Sequence, residues 1–163
     1  MAKQALTLAD ISSVLEISAA QDAPALFRAV EALARRTVGF RLFTVMRHRA
    51  AEGEVERVFS DNEAAYPVGG RKRKLGTAWG EKVLDRGEVF IAKNRDELRE
   101  AFPDHELIMS LGISSIMNVP VAHDGVTLAT MNISGEAGAY REEDIPAARM
   151  LGALLVPVLL AMA

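Results

Sequence analysis

Cysteine is absent from this 163-residue sequence. Its absence removes disulfides, thiolate metal sites and thiol nucleophiles, and it suits a reducing cytoplasm, where the chain is expected to reside. Histidine is scarce, with three in all, and none has a partner at ligand spacing. His48 lies between Arg47 and Arg49, His123 sits in a turn, and His105 stands near the start of a helix. Neither a metal site nor a Ser-His-Asp arrangement is expected. Neither sign of charge dominates, and a net charge of −3 gives no general attraction to nucleic acid or anionic membrane. Long apolar runs are also missing. The longest, Met150 to Ala163, is interrupted by Pro157 and too short to span a bilayer. The N-terminus, MAKQALTLADISSVLE, reaches Asp10 before an apolar core accumulates, unlike a secretory signal. With no repeat and no compositional boundary, residues 1–163 are expected to form a single domain.

What is present is a clear succession of elements. Leu8, Ile11, Leu15 and Ser18, flanked by Val14 and Ile17, have helical spacing behind a Thr7 cap. Asp22 caps a second helix with Pro24 in its first turn and an inner stripe of Leu26, Phe27, Val30, Leu33 and Ala34. Phe40 to His48 is apolar on both faces at its centre and predicts an inner strand. In the following strand, EVERVFS, Val55 and Phe59 share a face between charged neighbours. Asp61 to Lys74 reads as a loop, with RKRK at its end taken as solvated, or as a contact for a ligand's phosphate or carboxylate. Thr77 caps a helix carrying Trp79, Val83 and Leu84, and a short strand follows at Val89 to Ala92. Asn94 and Glu97 form a capping box, and Asp104 reads as the N-cap of a helix that stops at Gly112. Two strands around His123-Asp124-Gly125 come next, then a last helix kinked at Pro157. The pattern predicts α+β architecture with a mostly antiparallel sheet.

The hairpin across residues 114–134 carries most of the functional information. A two-residue turn pairs His123 with Val126, whereas a three-residue loop with a left-handed Gly125 pairs Ala122 with Val126. A shift of one residue exchanges the faces. Only the three-residue loop segregates Met117, Val119, Val121, Ala129, Met131 and Ile133 onto one apolar face. It leaves Ser114, Ile116, Asn118, Pro120, Leu128, Thr130 and Asn132 on the other. Burial of each large apolar side chain stabilises by roughly 1.5–3 kcal/mol, which selects that loop.

Three stretches resemble the GAF domain family, small-molecule regulatory modules related to PAS domains. They are VLDRGEVFIA, LGISSIMNVPVAHDGVTLATMNIS and AYREEDIPAARMLGALL. The resemblance covers about residues 23–155. It implies a central, mostly antiparallel sheet of five to six strands. N- and C-terminal helices would lie on one face, with loops and short helices over a pocket on the other. The terminal helices, 8–20 and 143–162, would pack together or dimerise. Relatives that bind cyclic nucleotides carry Asn-Lys, then Phe, three residues and Asp-Glu. Here Asn132 is followed by Ile133, and Tyr140 precedes Asp144 and Ile145, so the Lys–Asp pair cannot form. Relatives that attach bilins or reduce methionine sulfoxide use cysteine, and those forms of activity are excluded.

The candidate ligand-binding residues are Asn118, Asn132, Thr130, Trp79, Phe43, Tyr66 and His105. The two asparagines bond either a ligand or loop backbone, and Trp79 either stacks on a ligand or fills core. The resemblance implies a sensory module that binds an unidentified small molecule and signals through its terminal helices, as a homodimer or to a partner protein. The alternative is a non-catalytic interaction module with a closed pocket. Its contacts would come from Leu8, Ile11, Leu15, Leu154, Val158 and Leu159. No catalytic residue or cofactor is indicated, so an enzyme is the least favoured reading.

Overall fold

The computed structural model describes residues 2–163. Two helices open the chain, α1 (Leu8–Ala19) and α2 (Ala23–Thr37), followed by β1 (Leu42–Arg49), β2 (Glu54–Ser60) and β3 (Arg71–Arg73). A helical turn, α3 (Ala78–Gly80), runs into a π-helical turn at Glu81–Asp85, before β4 (Phe90–Ala92), α4 (Arg95–Ala101) and α5 (His105–Ser110). The hairpin β5 (Ser115–His123) and β6 (Val126–Gly135) leads through a 3-10 turn to α6 (Ile145–Ala153) and α7 (Val156–Ala161). The six strands form one antiparallel sheet in the order β3-β2-β1-β6-β5-β4. This is the expected α+β layout, with the long hairpin next to the centre. Among the described residues no helix is long and apolar enough to cross a membrane.

The sheet separates two cores. On one face α2, α6 and α7 cover the apolar row of Met117, Val119, Met131 and Ile133, all completely buried. On the other, Trp79, Val83, Leu98, Phe102 and Ile108 from the short helices pack over Leu42, Met46 and Ile116. The expected α1 stripe is rotated. Val14 is its buried residue, whereas Leu8 and Leu15 are 85% and 52% exposed. Helix α1 packs chiefly on α2, so one narrow line of contact suffices, tied by the Asp10–Arg36 ion pair at 2.7 Å. Pro157 breaks the last helix rather than bending it. It sits in the first turn of a separate α7, where its missing N–H costs no hydrogen bond.

The hairpin reaches the expected faces by a different device. Asp124 and Gly125, both left-handed with φ of 51° and 74°, make a two-residue turn that pairs His123 with Val126. A bulge between Val121 and Ala122 and the opposing Thr127–Ala129 then restores the segregated register, with Met117 opposite Ile133 and Asn118 opposite Asn132. The extra residue is Leu128, which packs toward the helix-side core instead of the mixed face. The three-residue loop is therefore replaced by a tight turn plus a bulge, and the parity comes out the same.

A second bulge changes β2. Val45 pairs with Phe59 but Met46 pairs with Arg57, so Val58 is extra. Val55 and Phe59 consequently lie on opposite faces. Phe59 stacks on Phe27 at 5.4 Å and meets Phe43 edge-on at 5.9 Å in the helix-side core, while Val55 joins the other core.

The turn assignment is testable. Gly125→Ala places a side chain at positive φ and should destabilise by about 1 kcal/mol, whereas Asp124→Asn should be nearly neutral, both read by urea unfolding. Equal tolerance of both substitutions would contradict a two-residue turn with left-handed residues.

Candidate functional site

The register aligns Asn118, Asn132 and Thr44 in one row across β5, β6 and β1. Their side chains bond along that row. Asn118 Nδ2 donates to Asn132 Oδ1 at 2.7 Å, and Asn132 Nδ2 donates to Thr44 Oγ1 at 3.2 Å. From the covering layer, Trp79 Nε1 donates to Asn118 Oδ1 at 2.9 Å. The asparagines thus bond each other rather than loop backbone, and they pin the tryptophan. Each link is buried, where an unpaired amide costs about 1–3 kcal/mol.

Beside this row is a cavity of about 60 Å³. Its floor is the row itself with Leu42, Met46 and Ile116, and its roof includes Tyr66, Trp79 and Phe102. Several waters or one small ion fit; a drug-sized or nucleotide-sized molecule, which occupies roughly 300 Å³ or more, does not without movement. Lys74 and Trp79 also line an outer cleft of about 640 Å³, so these two side chains stand between the cavity and that cleft.

Three cations border the cavity. The basic run Arg71–Lys74 is ordered as an edge strand against β2, with Lys72 opposite Val55, instead of a solvated loop. Alternation turns Lys72 and Lys74 inward and leaves Arg71 and Arg73 exposed. Arg57 reaches the cavity because the Val58 bulge brings it to Met46's face.

Asp104 answers one of these charges. It stands at the N-cap of α5 but its side chain makes no cap bond. Instead it accepts Tyr66 Oη–H at 3.0 Å and Lys72 Nζ at 2.5 Å. Burial alone would raise the Asp104 carboxyl, but Lys72 and Tyr66 hold it below its ordinary value. The same surroundings, burial first and then Asp104, push the Tyr66 phenol upward.

Arg57 and Lys74 have no such carboxylate. Arg57 is 5% exposed, donates once to Pro67 O at 3.0 Å, and lies 4.8 Å from the Tyr66 ring centroid. Its Nε is buried without a partner, and burial lowers its pKa. Lys74 is 8% exposed, and its ammonium sits 4.6 Å from the Trp79 ring centroid with no ion pair among the described residues. Burial, assisted by Lys72 and opposed by Asp104, lowers its pKa to about 8. The backbone here is fixed from several sides. Lys74 N donates to Gly53 O at 2.9 Å, and Thr77 Oγ1 donates to Lys74 O at 2.7 Å. A Cβ on Gly80 would meet Lys74 O at 2.3 Å, so only glycine permits α3 to lie this close.

Of the seven residues singled out from sequence, Asn118, Asn132, Trp79 and Tyr66 meet at this cavity. Phe43 points to the other face, into the aromatic cluster under α2. Thr130 shares the mixed face but is completely buried, with Oγ1 unpartnered, and does not line the cavity. His105 lies on α5 outside the lining, its Nδ1 also without a partner. Tyr140 is helix-side core, donating to Gly39 O at 3.0 Å, and Asp144 pairs with Lys3. Sequence reasoning missed Arg57. The available signal was parity, since Arg57 falls between Val55 and Phe59 on one nominal face, a conflict that the bulge resolves.

Two variants probe this arrangement. Lys74→Met removes a buried charge and should stabilise the unliganded protein at pH 7 by on the order of 1–3 kcal/mol. The folded pKa is depressed, so wild type bears the penalty in full below about pH 8. Between pH 8 and 10.5 the unfolded chain holds the Lys74 proton more tightly than the folded one. Wild type therefore closes the gap as pH rises through that window, as urea unfolding at pH 7, 9 and 10 would show. Asn118→Leu leaves the Trp79 N–H and the Asn132 carbonyl unpaired and should destabilise by about 2–4 kcal/mol.

The model of the GAF domain family matches residues 20–159. No curated protein matches the chain in sequence. Its fold is similar to the GAF domain of a phosphoenolpyruvate-protein phosphotransferase from Coxiella burnetii, at 15% identity and TM-score 0.66, over 95% of each chain. It is also similar to the GAF domain of a two-component sensor histidine kinase from Bacillus halodurans, at 12% identity and TM-score 0.67, over 86% of this chain and 97% of that one. A third likeness is to the chromophore-binding domain of a bacteriophytochrome from R. palustris, at 15% identity and TM-score 0.67, over 94% of this chain and 62% of that one. With the family model spanning most of its length and the fold showing the expected α+β sheet, extended by the edge strand β3 that the sequence read as loop, the chain belongs to the GAF domain family.

Proposed function

We propose that the chain is a sensory or regulatory module, acting in the cytoplasm, that binds a small molecule in the cavity over the sheet and passes its occupancy to the terminal helices. The observation that carries this reading is a cavity with two buried cations and no carboxylate for either. Such charges cost stability in an empty pocket, and a bound group that satisfies them recovers that cost. The sensor kinase and chromophore-binding domain among the structural neighbours are consistent with this reading. A ligand contacting the amide row would bear on β5 and β6, the strands against which α6 and α7 pack.

A thermal-shift screen across nucleotides, amino acids, organic acids and aromatics should give at least one stabilising hit. Free ligand at about a hundred times Kd corresponds to about 2.7 kcal/mol of added stability. A flat response across all four classes would overturn the reading.

A second reading, self-association through the terminal helices, is favoured by the exposure of Leu8, Leu15, Met150 and Leu160. Leu154, Val158 and Leu159 are buried within the protomer's own core and drop out as contact residues. Light scattering should show a dimer that Leu8→Lys with Leu15→Lys converts to monomer without loss of helicity. A wild-type monomer at high concentration would sink this second reading.

A further inference from the structure

We infer that the cavity's ligand is a small organic anion, a carboxylate on a short apolar body, with its head met by the buried cations of the lining, Lys74 and Arg57. The inference rests on the pocket reading above and adds the ligand's chemistry.

Charge balance is the first support. Lys72 is neutralised by Asp104, leaving Arg57 and Lys74 as two almost fully buried cations on one cavity. The nearby acids of β2 are engaged elsewhere. Glu54 pairs with Arg71, and Glu56 with Arg49 and Arg71, all outside the cavity lining. Arg57 Nε has no acceptor, and the Lys74 ammonium has only ring faces for company, Trp79 at 4.6 Å and Phe102 at 5.6 Å. Cation–π contact offsets part of the desolvation and leaves all three ammonium protons free to donate.

Size and lining set the rest of the class. About 60 Å³ admits a head group with one or two carbons and excludes a nucleotide or a tetrapyrrole in the present conformation. The walls away from the cations are apolar, with Leu42, Met46, Ile113 and Ile116. The Asn118 and Asn132 amides each spend one N–H within the row, leaving a second donor on each beside the cavity. A carboxylate presents two oxygens to donors at one end and an apolar body to these walls at the other, whereas a tetrahedral oxyanion has no apolar end to set against them.

The test uses the single tryptophan as reporter, since Trp79 itself walls the cavity. Acetate and propionate are titrated against their uncharged isosteres acetamide and propionamide, and against inorganic phosphate, at fixed ionic strength. Trp79 emission and Tm are followed in wild type, Lys74→Met and Arg57→Met. The expected result is a saturable response to the carboxylates alone, weakened by about tenfold or more in Lys74→Met, whose unliganded Tm is not below wild type. Arg57→Met should weaken it in the same direction. Amides binding as well as carboxylates would overturn the anion assignment and leave the pocket reading standing. Phosphate binding as well as acetate would overturn the carboxylate class, as would full affinity in Lys74→Met. If the carboxylates give no saturable response while the wider screen yields a hit, the anion assignment fails alone. If both are flat, the pocket reading fails with it.

Discussion

An antiparallel sheet has two faces and a side-chain period of two, so each extra residue in a strand exchanges what lies above with what lies below. This molecule depends on that constraint twice. At Leu128 one extra residue reconciles a tight turn with a register that buries Met117, Val119, Met131 and Ile133 together. At Val58 another sends Phe59 into the helix-side core and Arg57 toward the cavity. The two cores, the amide row and the charge of the pocket all follow from where these two residues sit.

The pocket face combines opposite kinds of polar group. The row Trp79–Asn118–Asn132–Thr44 runs donor to acceptor through three buried bonds and holds the covering layer to the sheet. The cations beside it are only partly answered. Tyr66, Lys72 and Asp104 form one neutralised group, while Arg57 and Lys74 lie against aromatic rings with no carboxylate partner. A satisfied network rigidifies, whereas an uncompensated buried charge stores free energy that a partner of opposite sign releases. Both occur within one small volume, the first holding the covering layer in place and the second leaving positive charge without a carboxylate.

Much of this was legible in the residues. Apolar segregation along the hairpin carried the faces even though the turn differed, because burial of one uniform row outweighs the preference of any single loop. Asn118 and Asn132 stood out as amides on apolar strands, but the expected pairing set Asn118 opposite Thr130, and only the tight turn with its bulge brings Asn132 there. Phe43 was misplaced because β1 is apolar on both faces at its centre and periodicity cannot orient it. Lys74 was half visible. A three-residue edge strand made of Arg and Lys has no hydrophobic period, so nothing in it says which alternate residues turn inward. Arg57 was hidden by a bulge, which leaves no signature except a charge on the wrong parity. The rotation of α1 was likewise unreadable, since Val14 and Leu15 are adjacent and only contact with α2 decides between them.

The wall shared by the cavity and the outer cleft bears on how the cavity can grow. It consists of Lys74 and Trp79, the latter fixed by its bond to Asn118. Merging the two spaces requires that buried bond to open and the indole to swing aside, leaving the Asn118 carbonyl without its donor. The volume over the sheet is thus set on that side by one indole and one hydrogen bond, and not by the path of the backbone.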